Sequence, residues 1–416
     1  MRINEKIFAV VPVFLALAIW STMFFLKLNN VVLGIFAAYC LFIGWLFPRK
    51  MSSKADALVL LPLLLFFTYL IGYYFGSDPK ESLDQLDKRF GLLGYPVLFF
   101  FLSGNLQRQA ITRMLYAFVL VCLTISLVCY ANAIWNIIQA GAIQVEGKER
   151  NYYYFSYLQL TSIVRIDPIY LSLYINFSIV ILLFKPLKKR IISFVLVVYL
   201  ILFNLLVASK AGIIGLIIVL VIYILSLIRN RYLAVGGTIL IVTTFVVLLF
   251  SSKFLKERFI VSTEFEYDRP WAGDWNSTSQ RLAIWTCAVE TIKDVFPWGY
   301  GTADGQKALN KTYVKKKYIR GYEDDYNAHS EYLHTMLDTG VLGLLVLLII
   351  LCWPLFRSLN LGNQLFTSFL VLMIFYFVVE VVLARRDGIT FFLFFYCLLA
   401  INPGDAVVKP KPNIPG

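Results

Sequence analysis

The sequence predicts an all-α, polytopic integral membrane protein with about twelve transmembrane helices. Hydrophobic residues make up 59% of its 416 residues, whereas charged residues make up only 15%, well below the quarter that is usual in soluble domains. A helix that crosses the hydrocarbon core needs about 20 apolar residues, and the chain repeats such runs between short polar segments. The composition therefore excludes an ordinary soluble domain.

The first apolar run, 7–26, follows Arg2 and Lys6. It is too long for the apolar part of a signal peptide, so we interpret it as a retained span. The eleven further runs lie at about 31–47, 56–75, 90–104, 111–135, 166–184, 191–207, 211–228, 232–250, 337–356, 365–383 and 389–402. The fourth and twelfth are short and have glycine in or beside them, so a count between eleven and thirteen fits the pattern.

The distribution of Lys and Arg predicts the orientation. Basic residues are more frequent in the short connections that share a side with the N-terminus, which places both termini in the cytoplasm. The contributing residues are Arg49, Lys50, Lys54, Arg108, Arg113, Lys185, Lys188, Lys189, Arg190, Arg229, Arg231 and Arg357.

Four regions follow from this plan. Residues 1–250 form a nine-span bundle, 251–336 form a long, partly helical loop between spans nine and ten, 337–402 form three further spans, and 403–416 form a disordered cytoplasmic tail. By parity the long loop faces away from the cytoplasm. It carries four tryptophans that can anchor a folded cap, namely Trp271, Trp275, Trp285 and Trp298.

Both histidines of the chain, His329 and His334, lie at the end of this loop. With Asn327 as the predicted N-cap, the segment is expected to form a helix that runs into span ten. A separation of five residues turns two side chains about 140° apart on a helix, and it is not the i, i+4 spacing of a zinc pair. The sequence therefore predicts no metal site, and we interpret His334 as an interfacial packing residue.

Cationic side chains at the predicted outer ends of the spans share a side with these histidines. Arg281 lies in the first turn of an amphipathic helix that begins near Ser279 and ends at the turn Pro297–Gly301. Arg165, Lys210 and Arg385 lie at span ends, and Glu380 is a candidate partner of Arg385 or Arg386.

Cations combined with an imidazole suit one reaction, the transfer of a glycan from a lipid diphosphate. Lys and Arg bind phosphate oxygens through charge-assisted hydrogen bonds. Histidine can take a proton from an acceptor hydroxyl near neutral pH. No cofactor is needed for this chemistry, and the chain shows no base-reading motif that would indicate nucleic-acid binding.

The order of these motifs resembles the O-antigen ligase and polymerase superfamily. The resemblance is carried by Ser209-Lys210 before an apolar span, Arg281-x-x-x-Trp285, Pro297-x-Gly299-x-Gly301, and His329-Ser-Glu-Tyr-Leu333 followed by Gly340 and Gly343. The resemblance is strongest between about Leu205 and Leu348. Lys210 stands where relatives often have Arg, and Ser330 where Asn commonly follows the histidine.

The resemblance implies a metal-independent, inverting glycosyltransferase of the bacterial inner membrane. Its donor would be an undecaprenyl-diphosphate-linked glycan, its acceptor a lipid A-core sugar on the periplasmic face, and membrane lipids would surround it. His329 would be the catalytic base and Arg281 a second catalytic residue, and Lys210, Arg165 and Arg281 would bind the diphosphate. The residues expected to support them are Tyr326, Glu331, Tyr332, Glu380 and Arg385.

Two alternatives remain at this point. Within the superfamily, the chain could be a repeat-unit polymerase or a ligase that glycosylates protein, because these enzymes share the donor chemistry. From a different class, a lipid-linked glycan transporter or flippase would also be polytopic and basic, although such proteins usually place ionisable groups near the bilayer midplane.

Overall fold

The computed structural model describes residues 5–25, 29–47, 54–104, 106–140, 144–145, 148–149, 154–164, 166–228, 230–251 and 277–401. The helices of the first part are α1 (Glu5–Phe25), α2 (Asn29–Leu46), α3 (Lys54–Leu60), α4 (Pro62–Phe75), α5 (Pro79–Lys88), α6 (Gly91–Ser103) and α7 (Arg108–Ala140). A two-residue antiparallel ladder, β1 (Gln144–Val145) with β2 (Lys148–Glu149), follows them.

The second part begins with α8 (Tyr157–Leu160), α9 (Pro168–Phe184), α10 (Arg190–Val207), α11 (Lys210–Leu227) and α12 (Arg231–Ser251). The third part contains α13 (Ser277–Val295), α14 (Asp304–Lys315), α15 (Ile319–Glu323), α16 (Glu331–Asn360), α17 (Gln364–Val379) and α18 (Arg386–Ile401).

The predicted helical membrane protein is confirmed, since every predicted apolar run coincides with helix. Among the described residues, six helical segments are long and apolar enough to cross a membrane, and shorter apolar helices accompany them. The third run is divided between α3 and α4 at Leu61, because Pro62 starts a new helix. The count of twelve spans, the periplasmic side of the loop and the cytoplasmic termini stay predictions, and the tail 403–416 lies outside the described residues.

Two helices form the centre of the bundle. In α18 every residue from Gly388 to Ala400 is buried, and in α9 every residue from Pro168 to Leu182 is buried. A helix that is apolar all round is expected to be covered by other helices. Here the Trp20 ring of α1 stacks on Phe395 of α18 with ring centroids 5.0 Å apart. The short final run is therefore the core helix of the bundle.

A buried asparagine pair fixes the start of α11. Asn204 Nδ2 donates to Asn176 Oδ1 at 2.9 Å, and Asn176 Nδ2 donates to the Gly212 carbonyl at 2.8 Å. Ser209 caps α11 by accepting the Gly212 N–H at 3.2 Å. These bonds join α9, α10 and α11 at one point, and Lys210 follows directly from the cap.

The predicted turn Pro297–Gly301 packs against a break in α16. Gly340 has φ 64° and ψ −159°, which interrupts the helix. The freed backbone groups pair with the turn, since Val341 N–H donates to the Pro297 carbonyl at 2.8 Å and Gly301 N–H donates to the Asp338 carbonyl at 3.0 Å. The glycines of this motif thus allow two backbones to approach each other.

This contact predicts unequal effects for two glycine substitutions. A Cβ at Gly340 would collide with the backbone of Pro297 and Trp298, whereas among the described residues nothing lies within 4 Å of a Cβ at Gly362, which has φ 66°. Gly362→Ala should cost about 1–2 kcal/mol through backbone strain alone. Gly340→Ala should cost roughly 3 kcal/mol or more, because the collision adds to a backbone region that is essentially limited to glycine.

Thermal unfolding of the two purified variants in detergent measures this difference. Equal losses of stability in both variants would show that the turn does not constrain α16.

Candidate functional site

A cleft of about 270 Å³ brings together side chains from five separate parts of the chain. They come from the α8 and α9 region, the start of α11, the start of α13, the connection between α15 and α16, and the connection between α17 and α18. The lining residues are Tyr157, Asp167, Ile169, Ser209, Lys210, Ala211, Gln280, Arg281, Tyr326, His329, Glu380 and Arg385. Six of the residues predicted from sequence therefore share one cavity.

Two cations of the cleft lie near helix N-termini. Lys210 is the first residue of α11, and its Nζ donates to Thr278 Oγ1 at 3.1 Å, at the start of α13. Arg281 lies in the next turn of α13, where its Nε donates to the Val379 carbonyl at 3.1 Å. The N-terminus of a helix carries partial positive charge. The N-termini of α11 and α13 therefore add to the positive electrostatic potential that Lys210 and Arg281 create.

His329 is held in an unusual backbone conformation. Its φ of 42° is rare for a non-glycine residue. Its N–H donates to Asn327 Oδ1 at 3.0 Å, and its carbonyl accepts the Trp285 Nε1 proton at 3.3 Å. Asn327 thus stabilises a turn, and the prediction that it caps the following helix is wrong. The helix begins at Glu331 because the chain at His329 is not helical.

A buried carboxylate faces the imidazole. Glu380 lies immediately after the last residue of α17 and is only 5% exposed. Its Oε2 is 3.6 Å from His329 Nδ1. The histidine is therefore a closer partner of Glu380 than the predicted Arg385 or Arg386.

Arg385 contributes a third cation from the same connection. Its guanidinium carbon lies 6.0 Å from the centre of the Tyr170 ring. The Tyr170 hydroxyl donates to the Val381 carbonyl at 3.2 Å, which ties α9 to the connection that carries both Glu380 and Arg385.

Two predicted supporting residues lie behind the cleft. Glu331 is fully buried, and its Oε2 accepts the N–H of Leu383 at 2.7 Å. The Tyr332 hydroxyl donates to the Ile374 carbonyl at 3.1 Å. Glu331 therefore joins the segment of His329 to the connection of Glu380, whereas Tyr332 joins α16 to α17. Arg165, the remaining predicted diphosphate ligand, lies outside the described residues.

A buried ionic cluster behind Glu331 was not predicted. Arg89, between α5 and α6, donates to Asp338 Oδ2 at 3.0 Å, and its Nη2 lies 2.9 Å from His334 Nε2. The Arg89 guanidinium also stacks over the Tyr69 ring, 4.4 Å from its centroid. His334 is thus a member of a polar cluster, and its interpretation as a simple packing residue misses this contact. The sequence feature that could have indicated this cluster is Asp338, which lies one turn after His334 on the same helix.

The described residues contain no group of three or more His, Cys, Asp or Glu side chains arranged to hold a metal ion. What the cleft offers chemically is a set of cations for an anionic ligand and an imidazole beside a carboxylate. This combination suits the binding of a phosphate-bearing substrate and the removal of a proton.

Comparison with known families supports this interpretation. Residues 195–348 match the model of a family described as "O-Antigen ligase", which supports the resemblance that the motifs indicate. The matched range includes Lys210, Arg281 and His329, while Glu380 and Arg385 lie beyond it. No curated protein matches the chain significantly.

The ionic cluster yields a prediction for stability. Arg89 and Asp338 are 1% and 3% exposed, so Asp338→Ala leaves a buried guanidinium without its counter-charge and should cost about 3–5 kcal/mol. Lys307 forms a comparable ion pair with Glu81 on the surface, with both side chains more than a third exposed. Lys307→Ala should cost less than about 1 kcal/mol.

Thermal unfolding in detergent compares the two variants. A loss for Asp338→Ala as small as that for Lys307→Ala would exclude a structural role for the cluster.

Proposed function

We propose that this chain, a member of the O-antigen ligase superfamily, transfers a glycan from undecaprenyl diphosphate to a lipid A-core acceptor sugar on the periplasmic face of the inner membrane. The family consists of membrane glycosyltransferases of the ligase or polymerase type, and the chain is a multi-pass helical protein. The observation that carries the proposal is the convergence of His329, Glu380 and three cations in one cleft.

The diphosphate of the donor would lie among Lys210, Arg281 and Arg385. Two carboxylates also line the cleft: the side chain of Asp167 accepts the Ile169 N–H as the N-cap of α9, and Glu380 faces His329. The three cations outnumber these two carboxylates, and Lys and Arg bind phosphate oxygens through charge-assisted hydrogen bonds. Arg165 is part of the proposed diphosphate site on the basis of the sequence alone.

The reaction would begin with deprotonation of an acceptor hydroxyl. With the Nδ1 proton of His329 directed at Glu380, the Nε2 lone pair takes the hydroxyl proton, and Glu380 stabilises the imidazolium that forms. The acceptor oxygen attacks the anomeric carbon and forms the new glycosidic bond, while the bond from that carbon to the diphosphate oxygen breaks. Undecaprenyl diphosphate leaves with the electron pair, and an in-line attack inverts the anomeric centre.

The cations would lower the barrier by stabilising charge on the leaving diphosphate. Positive charge fixed in place before the reaction is effective, because it does not have to reorganise as the transition state forms. Neither the deprotonation of the acceptor hydroxyl nor the displacement of the diphosphate requires a metal ion or a cofactor.

The direct test is transfer by purified protein, with a lipid-linked glycan as donor and lipid A-core as acceptor. His329→Ala should reduce the transfer rate by about 10²–10⁴-fold, the usual contribution of a general base. Ser330→Ala is a matched control, because among the described residues this neighbouring hydroxyl makes only a long hydrogen bond, to the Phe377 carbonyl at 3.4 Å. Its rate should stay near that of the wild type.

A His329→Ala protein that retains its thermal stability and transfers glycan at the normal rate would exclude His329 as the base.

Glycan profiles from a deletion strain separate the ligase and polymerase activities of the superfamily. Loss of all long chains from the core indicates a ligase, whereas cores capped by a single repeat indicate a polymerase. Liposomes that contain labelled donor distinguish bond formation from translocation by a flippase.

Glu380 provides a second functional prediction. Glu380→Gln replaces the carboxylate that faces the imidazole with a neutral amide of nearly the same shape. The variant should reduce kcat by roughly tenfold. Loss of about 1.4 kcal/mol of stabilisation of the imidazolium raises the activation free energy by an amount that corresponds to this factor. The KM for the donor should change less than kcat, because Glu380 lies nearest the imidazole and acts on Arg281 and Arg385 only through longer-range charge interactions. Steady-state kinetics tests this, and an effect confined to donor KM would contradict the assignment.

A further inference from the structure

A second cleft, here called the α2/α6/α18 groove, lies between those three helices. Its cavity of about 510 Å³ falls within the range of small-molecule sites, roughly 300–1,000 Å³. The walls are mainly apolar, with Leu33 and Phe36 from α2, Leu98 from α6 and Ile389 from α18. From Gly91 to Leu98 the groove follows α6 for about 10 Å, given a rise of 1.5 Å per residue.

One end of the groove is charged. Lys88, which ends α5, and Arg386, which begins α18, line this end together with Asp87. Both cations are solvent-exposed in the structure, and the end carries two positive charges against one negative charge. A groove with an apolar body and a cationic end complements a molecule that has a hydrocarbon chain and a phosphate.

Two glycines provide the open space of the groove. Among the described residues, nothing lies within 4 Å of a Cβ built at Gly34, and a Cβ at Gly94 meets only the distal ring atoms of Phe90, at 3.9 and 4.0 Å. Larger side chains at these positions would extend into the groove without displacing the backbone. The shape of the cavity therefore depends on residues that can be changed without disturbing the core.

The groove adjoins the catalytic cleft. Arg385 lines the cleft and the next residue, Arg386, lines the groove, so the two phosphate-binding ends share one short segment of chain. Lys88 likewise precedes Arg89, whose ion pair with Asp338 holds the helix that follows His329. A reaction between two lipid-linked substrates needs two lipid sites whose polar ends meet at the base, and this arrangement supplies the second site.

We propose that the α2/α6/α18 groove binds the lipid anchor of the acceptor, with an acyl chain of lipid A between the helices and a phosphate of lipid A at Lys88 and Arg386. This inference rests on the proposed function, because it assumes that the first cleft holds the donor diphosphate. It assigns the two lipids to separate cavities on either side of residues 385–386.

The test uses the full chain in phosphatidylcholine nanodiscs, with bound lipid counted by native mass spectrometry. The probes are diphosphoryl lipid A, its dephosphorylated form, dioleoylphosphatidic acid and undecaprenyl phosphate. Gly34→Leu and Gly94→Leu fill the groove. Gly236→Leu is the matched control, because among the described residues a Cβ at Gly236 of α12 also meets nothing within 4 Å.

Both groove variants should weaken binding of diphosphoryl lipid A at least tenfold, whereas Gly236→Leu should bind like the wild type. Arg386→Gln should weaken binding of the diphosphoryl form by about fivefold and leave the dephosphorylated form unchanged. If either groove variant does not fold, the Arg386→Gln comparison still provides the test. Normal lipid A binding by folded Gly34→Leu and Gly94→Leu proteins would overturn the proposal.

Displacement of lipid A by an equal mole fraction of phosphatidic acid would also overturn it, by identifying a general phospholipid site. Displacement of lipid A by undecaprenyl phosphate would overturn the proposal as well, because it would assign the groove to a polyprenyl lipid. His329→Ala separates this proposal from the catalytic one, since it should slow transfer by about 10²–10⁴-fold and bind lipid A normally. Wild-type protein that shows the binding pattern but no glycan transfer would refute the proposed function and leave the lipid site standing.

Discussion

The arrangement of the site depends on the anchoring of the first turns of α16 by buried carboxyl groups. Inside an apolar bundle a polar group must be hydrogen-bonded and a charge must be paired. Asp338 is paired with Arg89, and Glu331 accepts a hydrogen bond from the N–H of Leu383. These two contacts hold α16 against the region between α5 and α6 and against the connection that carries Glu380. Since His329 lies two residues before Glu331, its position follows from the same anchoring.

The site combines rigid parts that the chain supplies from distant positions. Lys210 is fixed by the Asn176–Asn204 pair and the Ser209 cap, Arg281 by its bond to the Val379 carbonyl, and His329 by the Asn327 and Trp285 contacts. The chain at each of these residues is thus held by polar contacts with residues outside the functional set. Such preorganisation is what electrostatic stabilisation of a leaving group requires.

Much of this arrangement was accessible from the sequence. Hydropathy located every apolar helix, and the order of the motifs singled out Lys210, Arg281 and His329, which the structure brings to one cleft. Span parity supported the same grouping, because residues at the outer ends of different spans are expected to lie on one face. The surface helix α5 was missed, although Asp78 before Pro79 is a readable helix start.

Other features could not be derived because they depend on long-range packing. Arg89 lies 249 positions from Asp338, and no local periodicity indicates that the two side chains meet. The start of α16 was misplaced since the positive φ of His329 leaves no trace in composition. Hydropathy also does not distinguish a helix that faces lipid from one that faces other helices, so the central position of α18 was not foreseen.

That central position has a consequence for biogenesis. The helices against which α18 packs, among them α3, α6 and α17, all leave the ribosome before it does. Until α18 has been inserted, the earlier helices lack the helix that fills their centre, and the Trp20 ring lacks its contacts with Phe394 and Phe395. Final packing of the membrane domain therefore follows insertion of α18, and a chain arrested before residue 386 lacks the helix that completes its core.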